Sequence, residues 1–194
     1  ILSSSAVVNI INVTTITGAY NALTSLNVST ITNLSGRNLT SSDTSITVSN
    51  ANALDVLTTG VITATITENN MTNLANLEGT GNAYTVTVSD NQVNAGELNT
   101  LNEKTTVAIE CSGSETSLVI TGTSTELDTM LSARVSGEIN YNSDTVVTLN
   151  GTTTASEIIA RLAIDDTASE TIANSEKLDG SNDDILTIIN YFRY

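Results

Sequence analysis

Thr44 to Thr67 reads TSITVSNANALDVLTTGVITATIT, and two periodicities meet inside it. Ser45-Ile46-Thr47-Val48-Ser49 and Val61 to Thr67 (VITATIT) alternate β-branched apolar residues with hydroxyl residues. Period two is the pattern of a strand with one buried face. Between them, Asn52 to Leu57 (NALDVL) sets its leucines three apart, as a short helical turn does. Strand, helical turn, strand is therefore the unit from which the rest of the chain is read.

The same strand pattern returns at Tyr84 to Ser89 (YTVTVS), Thr105 to Cys111 and Thr145 to Leu149. The helical pattern returns at Asn21 to Leu26, Gly96 to Leu101, Glu126 to Leu131 and Glu157 to Leu162. Two helical starts fit the capping box, Thr123-Ser124-Thr125-Glu126 and Thr154-Ala155-Ser156-Glu157. There the hydroxyl accepts a free amide of the first turn and the Glu reaches back to the cap. Leu127, Met130 and Leu131 then share one face, as do Ile158, Ile159 and Leu162. Such faces need a partner, and the alternating strands supply one.

Spacing suggests repetition. Leu127 and Ile158 are separated by the same length of chain as the NALTSL and NALDVL motifs, and Leu98 to Leu127 is nearly equal. Leu74 with Leu77 marks an extra unit in the longer gap from Leu54 to Leu98. The expected fold is β-rich α+β. Short Thr-rich strands alternate with short capped helices in a repeat or solenoid-like stack, each unit leaning on its neighbours. A β-sandwich with short helices is the alternative. The expected organisation is an N-terminal segment over residues 1–40, strand–helix repeats over 41–165, and a C-terminal cap over 166–194. Within the first segment, Ala6 to Thr17 (AVVNIINVTTIT) reads as an assembly strand for donation to a neighbour.

Composition narrows the function. Thr, Asn and Ser number 34, 23 and 22 of 194 residues, while only 14% are charged, against about a quarter in ordinary soluble domains. The polar surface is thus carried by hydroxyls and amides. With 39% hydrophobic residues and a mean hydropathy of +0.08, there is enough apolar surface for a core, which argues against disorder. A formal charge of −15 repels phosphate backbones and anionic lipid, so nucleic acid and membrane surfaces are poor partners. No apolar run approaches the roughly 18 residues of a membrane span. No signal peptide is visible, and a chain starting at Ile1 without Met reads as a piece of a longer precursor.

There is no histidine. The commonest general base and metal ligand is absent, and with it every Ser-His or Cys-His nucleophile pair. Cys111 is the only cysteine, so one chain can build neither a disulfide nor a thiolate zinc site. Its alternation with apolar residues marks a buried structural thiol. No phosphate-binding loop, dinucleotide fingerprint or G-x-S-x-G elbow occurs. Sugar-cleaving carboxylate pairs would want stacking aromatics, and the chain has five Tyr, one Phe and no Trp. The expectation is a protein that is not an enzyme.

One cation candidate stands out, Asp179-Gly180-Ser181-Asn182-Asp183-Asp184. Asp179, Ser181, Asp183 and Asp184 offer oxygens suited to calcium, although the glycine and twelfth position do not match an EF-hand. Six Asn-X-Ser/Thr sequons, at Asn12, Asn27, Asn33, Asn38, Asn70 and Asn150, are what so Thr- and Ser-rich a chain contains by chance. Thr63/Thr65 and Thr85/Thr87 raise an ice-binding face, which needs the Thr-X-Thr motif aligned on successive strands.

Thr44 to Thr67 and Asn82 to Ile109 (NAYTVTVSDNQVNAGELNTLNEKTTVAI) resemble repeats of very large surface and secreted proteins of marine cyanobacteria. They are similar, too, to structural proteins of the phages of those cyanobacteria. The resemblance spans roughly residues 20 to 165 and rests on pattern and composition. It implies an extracellular or cell-surface location, or alternatively a virion, with a long parent chain and a non-catalytic role. The expected function is a structural or adhesive repeat protein, self-associating into an oligomer or filament. The alternatives are a phage fibre or other virion component, and a module binding carbohydrate or a cell surface.

Overall fold

The structure, a computed structural model, describes residues 7–112, 118–142, 144–151, 153–154, 169–172 and 178–179. The fold is mixed α/β. Many short strands lie in parallel sheets beside a few helices, and no sheet among the described residues closes into a barrel.

Two compact units divide the chain. The first takes residues to Thr87 together with Glu103–Ala108, and the second takes Val88–Asn102 and the chain from Ile109. In the first unit the order is β1 (Val8–Asn9), β2 (Thr15–Gly18), α1 (Tyr20–Thr24), β3 (Ile31–Thr32), β4 (Asn38–Ser41), α2 (Val48–Asp55), β5 (Ile62–Thr65), α3 (Met71–Leu74) and β6 (Ala83–Thr85). β7 (Thr87–Val88) falls where the units divide. The second unit continues with β8 (Gln92–Asn94), α4 (Ala95–Asn102), β9 (Ile109–Cys111), β10 (Val119–Gly122), α5 (Ser124–Val135), β11 (Ile139–Tyr141), β12 (Val146–Leu149), β13 (Thr153–Thr154), β14 (Ser169–Ile172) and β15 (Leu178–Asp179).

In the first unit the sheet order is β2-β4-β5-β6, parallel throughout. Ile16 pairs with Leu39 and Leu39 with Ile62, the same step along the chain each time, and Thr63 pairs with Ala83 at a slightly shorter one. β1 pairs β3 at the first of these steps, Val8 with Ile31. In the second unit Val93, Ile120 and Val147 stand in register at a longer common step, and Ile109 pairs with Ile139 at one longer still. From β12 to β14 the shorter step returns, Val146 pairing with Ser169. Parallel neighbours need a crossover between them, and a helix lies in those from β2 to β6 and from β8 to β12.

Each of the longer crossover helices buries one apolar stripe. Val48, Ala51 and Leu54 are the buried residues of α2, Leu98 and Leu101 the buried leucines of α4, and Leu127, Met130 and Leu131 fill the inner face of α5. The inward strand residues Leu39, Ile62, Tyr84, Ile109 and Ile120 are all at 0% exposure. Burying a side chain of this size contributes about 1.5–3 kcal/mol, so these rows hold the sheets and helices together.

The capping box expected at Thr123 is present. Its hydroxyl accepts the Glu126 N–H, and the Glu126 carboxylate takes the Thr123 N–H at 2.8 Å. The second expected box, at Thr154 to Glu157, lies outside the described residues apart from Thr154, which belongs to β13. The helix expected at Glu157 to Leu162 lies outside them entirely. The expected strand Ser45 to Ser49 is not one. Ile46 makes a single parallel bridge to Ile66, and α2 begins at Val48. Thr47 caps it by accepting the Asn50 N–H, and the Glu68 carboxylate accepts the Val48 N–H at 2.9 Å. Those two acceptors satisfy the helix start and outweigh the β preference of Val48. Thr105 to Cys111 is likewise split. Thr105 bridges Asn82 in the first unit, while Ile109–Cys111 forms β9 in the second.

The segment Ala6 to Thr17, expected as a strand for donation, is engaged within the chain from Val8 onward. β1 and β2 pair with β3 and β4.

Candidate functional site

Four polar side chains are buried in the described core: Thr58, Asn82, Thr105 and Thr145. Each stands at or shortly before a paired strand or bridge, and three of them bond the backbone of a segment 20 or 21 residues earlier in the chain. Thr58 Oγ1 donates to the Arg37 carbonyl at 2.7 Å and accepts the Gly60 N–H at 2.9 Å. Asn82 Oδ1 accepts the Ile62 N–H at 2.8 Å. Thr105 Oγ1 accepts the Tyr84 N–H at 3.0 Å and donates to the Tyr84 carbonyl at 2.6 Å. A buried amide without a partner costs about 1–3 kcal/mol, so these side chains let the ladder turn corners without that penalty.

Asn82 reaches a second neighbour. Its amide donates to Asp55 Oδ1 at 2.8 Å, which ties the end of α2 to the start of β6. Gly79 passes the same carboxylate in the left-handed region, φ +70°, where an added Cβ would stand 2.5 Å from Asp55 Oδ1. Tyr84 lies close by in the chain, fully buried, and its hydroxyl has no partner among the described residues. Burial first, and the Asp55 charge second, raise its phenol well above the ordinary value. A neutral buried phenol, an amide-paired carboxylate and a glycine make a structural junction with no nucleophile–base pair in it.

The outward side of the first sheet is hydroxyl-rich. Thr17, Thr40 and Thr63 occupy one register column across β2, β4 and β5. Thr15, Thr17, Thr63, Thr65 and Thr85 are exposed. The paired columns that an ice-binding array requires are broken, because Thr15 stands against Asn38 and Thr63 against Ala83. In the second unit the backbone register sets Asn94, Thr121, Thr148 and Thr171 at successive positions across the sheet.

Of the candidate calcium residues, Asp179 is placed by its backbone in β15, paired with Thr154. Ser181, Asp183 and Asp184 lie outside the described residues. Among the described residues no group of three or more His, Cys, Asp and Glu side chains is arranged to hold a metal ion. No described helix is long and apolar enough to cross a membrane. Cys111 is buried at the end of β9, and burial, with the Glu110 charge second, pushes its thiol up to about 12. That is the reverse of the depressed value a reactive thiolate needs.

The sequence pattern does not single out Thr58, Asn82 or Thr105, because each stands in a segment that reads as turn or strand. The available signal is a lone Thr or Asn at or just ahead of an alternating segment. No family model, no curated protein and no solved structure matches this chain.

Proposed function

We propose that this chain is a non-catalytic structural or adhesive module of an extracellular surface, built as a solenoid-like stack of strand–helix units and self-associating. The carrying observation is the parallel pairing of successive strands in both units, with a helix inside the crossovers. Units of that kind bury their apolar faces only against neighbours. The polar side chains of the core are spent on backbone closure between successive turns, which suits a scaffold. The absence of histidine from the sequence and the raised Cys111 thiol support a role without covalent chemistry.

Sedimentation velocity over a wide concentration range, with electron microscopy of the same samples, tests the reading. Association that grows with concentration supports it. A strictly monomeric, globular particle would sink the self-associating part and favour a module that binds a surface or carbohydrate. The hydroxyl column through Thr17, Thr40 and Thr63, exposed at its first and last members, favours that second reading, and a glycan array tests it directly. A virion origin predicts capsid proteins beside this chain in mass spectrometry of its source. Calcium at Asp179 to Asp184 predicts a lower melting temperature in EDTA at fixed ionic strength.

A further inference from the structure

We propose that Asn150 and Gly151, at the exit of β12, form a spontaneous modification site, where the folded chain converts an asparagine to aspartate and isoaspartate through a succinimide. This site is independent of the self-associating reading above.

The pair is unique in the sequence. Of the 23 asparagines, only Asn150 is followed by glycine. Succinimide closure brings the backbone nitrogen of the following residue onto the side-chain carbonyl carbon, and a side chain on that residue crowds the approach. Glycine has none, and its backbone is the least restricted.

The fold keeps that glycine in place and leaves the asparagine accessible. Gly151 has φ +105°, where L side chains are strained, and an added Cβ would meet nothing within 4 Å. Conformation rather than crowding therefore requires glycine here. Both residues are exposed. The Asn150 carboxamide makes no hydrogen bond among the described residues. The Asn52, Asn82 and Asn99 amides, by contrast, donate to the Asn76 carbonyl, the Asp55 carboxylate and the Glu126 carbonyl, and each would lose that bond on turning toward its own backbone. The chain just ahead of the pair is anchored. Leu149 is at 0% exposure and in register with Gly122, and the Asn150 N–H donates to the Gly122 carbonyl at 2.7 Å. Intramolecular attack gains from proximity alone, so it needs no catalytic side chain in a protein without histidine.

Hydroxide removes the Gly151 N–H proton, and the nitrogen attacks Asn150 Cγ. The new N–Cγ bond closes the ring, the Cγ–Nδ2 bond breaks, and the amide takes up a proton and leaves as ammonia. Water then adds to either ring carbonyl. Opening at Cγ gives aspartate, and opening at the backbone carbonyl carbon gives isoaspartate, with the main chain rerouted through the side chain. No electron transfer is involved. Either product adds a carboxylate to a chain of net charge −15, at the residue that follows β12.

The test is incubation of the whole folded chain at pH 8, sampled over weeks. Mass spectrometry of its tryptic peptides locates each deamidation, and labelling by protein isoaspartate methyltransferase reports isoaspartate. Asn150 should react ahead of every other asparagine, give both products, and react faster as pH is raised. Asn150→Gln, which leaves the glycine turn intact, should lose the isoaspartate signal. Gly151→Ala should slow the reaction by about tenfold or more, with far-UV circular dichroism showing that each variant is folded. An Asn150 that stays intact in the folded chain but reacts in urea overturns the proposal. So does aspartate formed without isoaspartate, which would mean direct hydrolysis, and so does an isoaspartate signal that survives in Asn150→Gln.

Discussion

The two units solve one problem with different local means. In the first, the helices α1, α2 and α3 run to 5, 8 and 4 residues, and the crossovers that contain them make the shorter steps. In the second, α4 and α5 run to 8 and 12 residues, and their crossovers make the longer ones. The parallel register holds in both. The ladder is the constant and the crossover absorbs the variation.

Helix starts differ as well. In the second unit they are capped locally. Asn94 Oδ1 takes the Gly96 and Glu97 N–H groups, and Thr123 forms its capping box with Glu126. In the first unit Thr47 and Asn70 cap α2 and α3 locally too, accepting the Asn50 and Asn73 N–H groups, but Ala19 offers α1 no side-chain cap. The Tyr20 N–H goes instead to Asp43, 23 residues ahead, and the Val48 N–H goes to Glu68, 20 ahead. A helix start held by a carboxylate some 20 residues away depends on tertiary contacts in a way that a locally capped start does not.

The strongest way to break the comparison is through the two cores. Leu54→Ala in the first unit and Leu127→Ala in the second each remove a side chain at 0% exposure, and each should cost about 2–5 kcal/mol in urea unfolding. A marked inequality would show that one unit carries the stability of the chain. Asn82→Ala comes next. It strips the partner from the buried Ile62 N–H and should cost about 1–3 kcal/mol, measured in the same way. The glycine pair Gly79 and Gly81 then separates conformation from crowding. Both sit near φ +70°, but only Gly79 has a neighbour within reach of an added Cβ. Gly81→Ala should lose about 1–2 kcal/mol for the left-handed backbone, and Gly79→Ala should lose more by thermal melting.

Smaller still is Thr123→Ala, which should cost about 1 kcal/mol through α5 alone, read as loss of helical signal in circular dichroism. At neutral pH the smallest effect belongs to Cys111. Its thiol is neutral in the folded chain up to about 12, whereas an unperturbed thiol titrates at 9.0. The unfolded chain therefore loses this proton first, so the thiol takes nothing from stability below pH 9.0 and erodes it between 9.0 and about 12. Thiol-reagent labelling at pH 8 should be silent until denaturant is added, and prompt labelling of folded protein would contradict the burial.

What is legible ahead of the structure follows the same division. The α5 start can be read from sequence because its donor and acceptor stand three residues apart. The α2 start reads as part of a strand, because Glu68, which helps hold it, is 20 residues away and local alternation favours Ser45 to Ser49. Cys111 is legible as a buried thiol from its alternation with apolar neighbours. Asn82 is not, since nothing in Glu78-Gly79-Thr80-Gly81-Asn82 separates a solvated turn from an amide that spans Ile62 and Asp55.

Asn150 and Gly151 complete the contrast. Their adjacency is a property of the chain alone, as are the mixed strand and helix content, the leucine stripes and the missing histidine. Those follow from residue type and spacing within a few positions. The parallel register, the differing lengths of the crossovers, and the closure of backbone by Thr58, Asn82 and Thr105 came only with tertiary structure. Each depends on which distant segment lies alongside, and hydrogen bonds between segments far apart in the chain leave no mark in a local pattern.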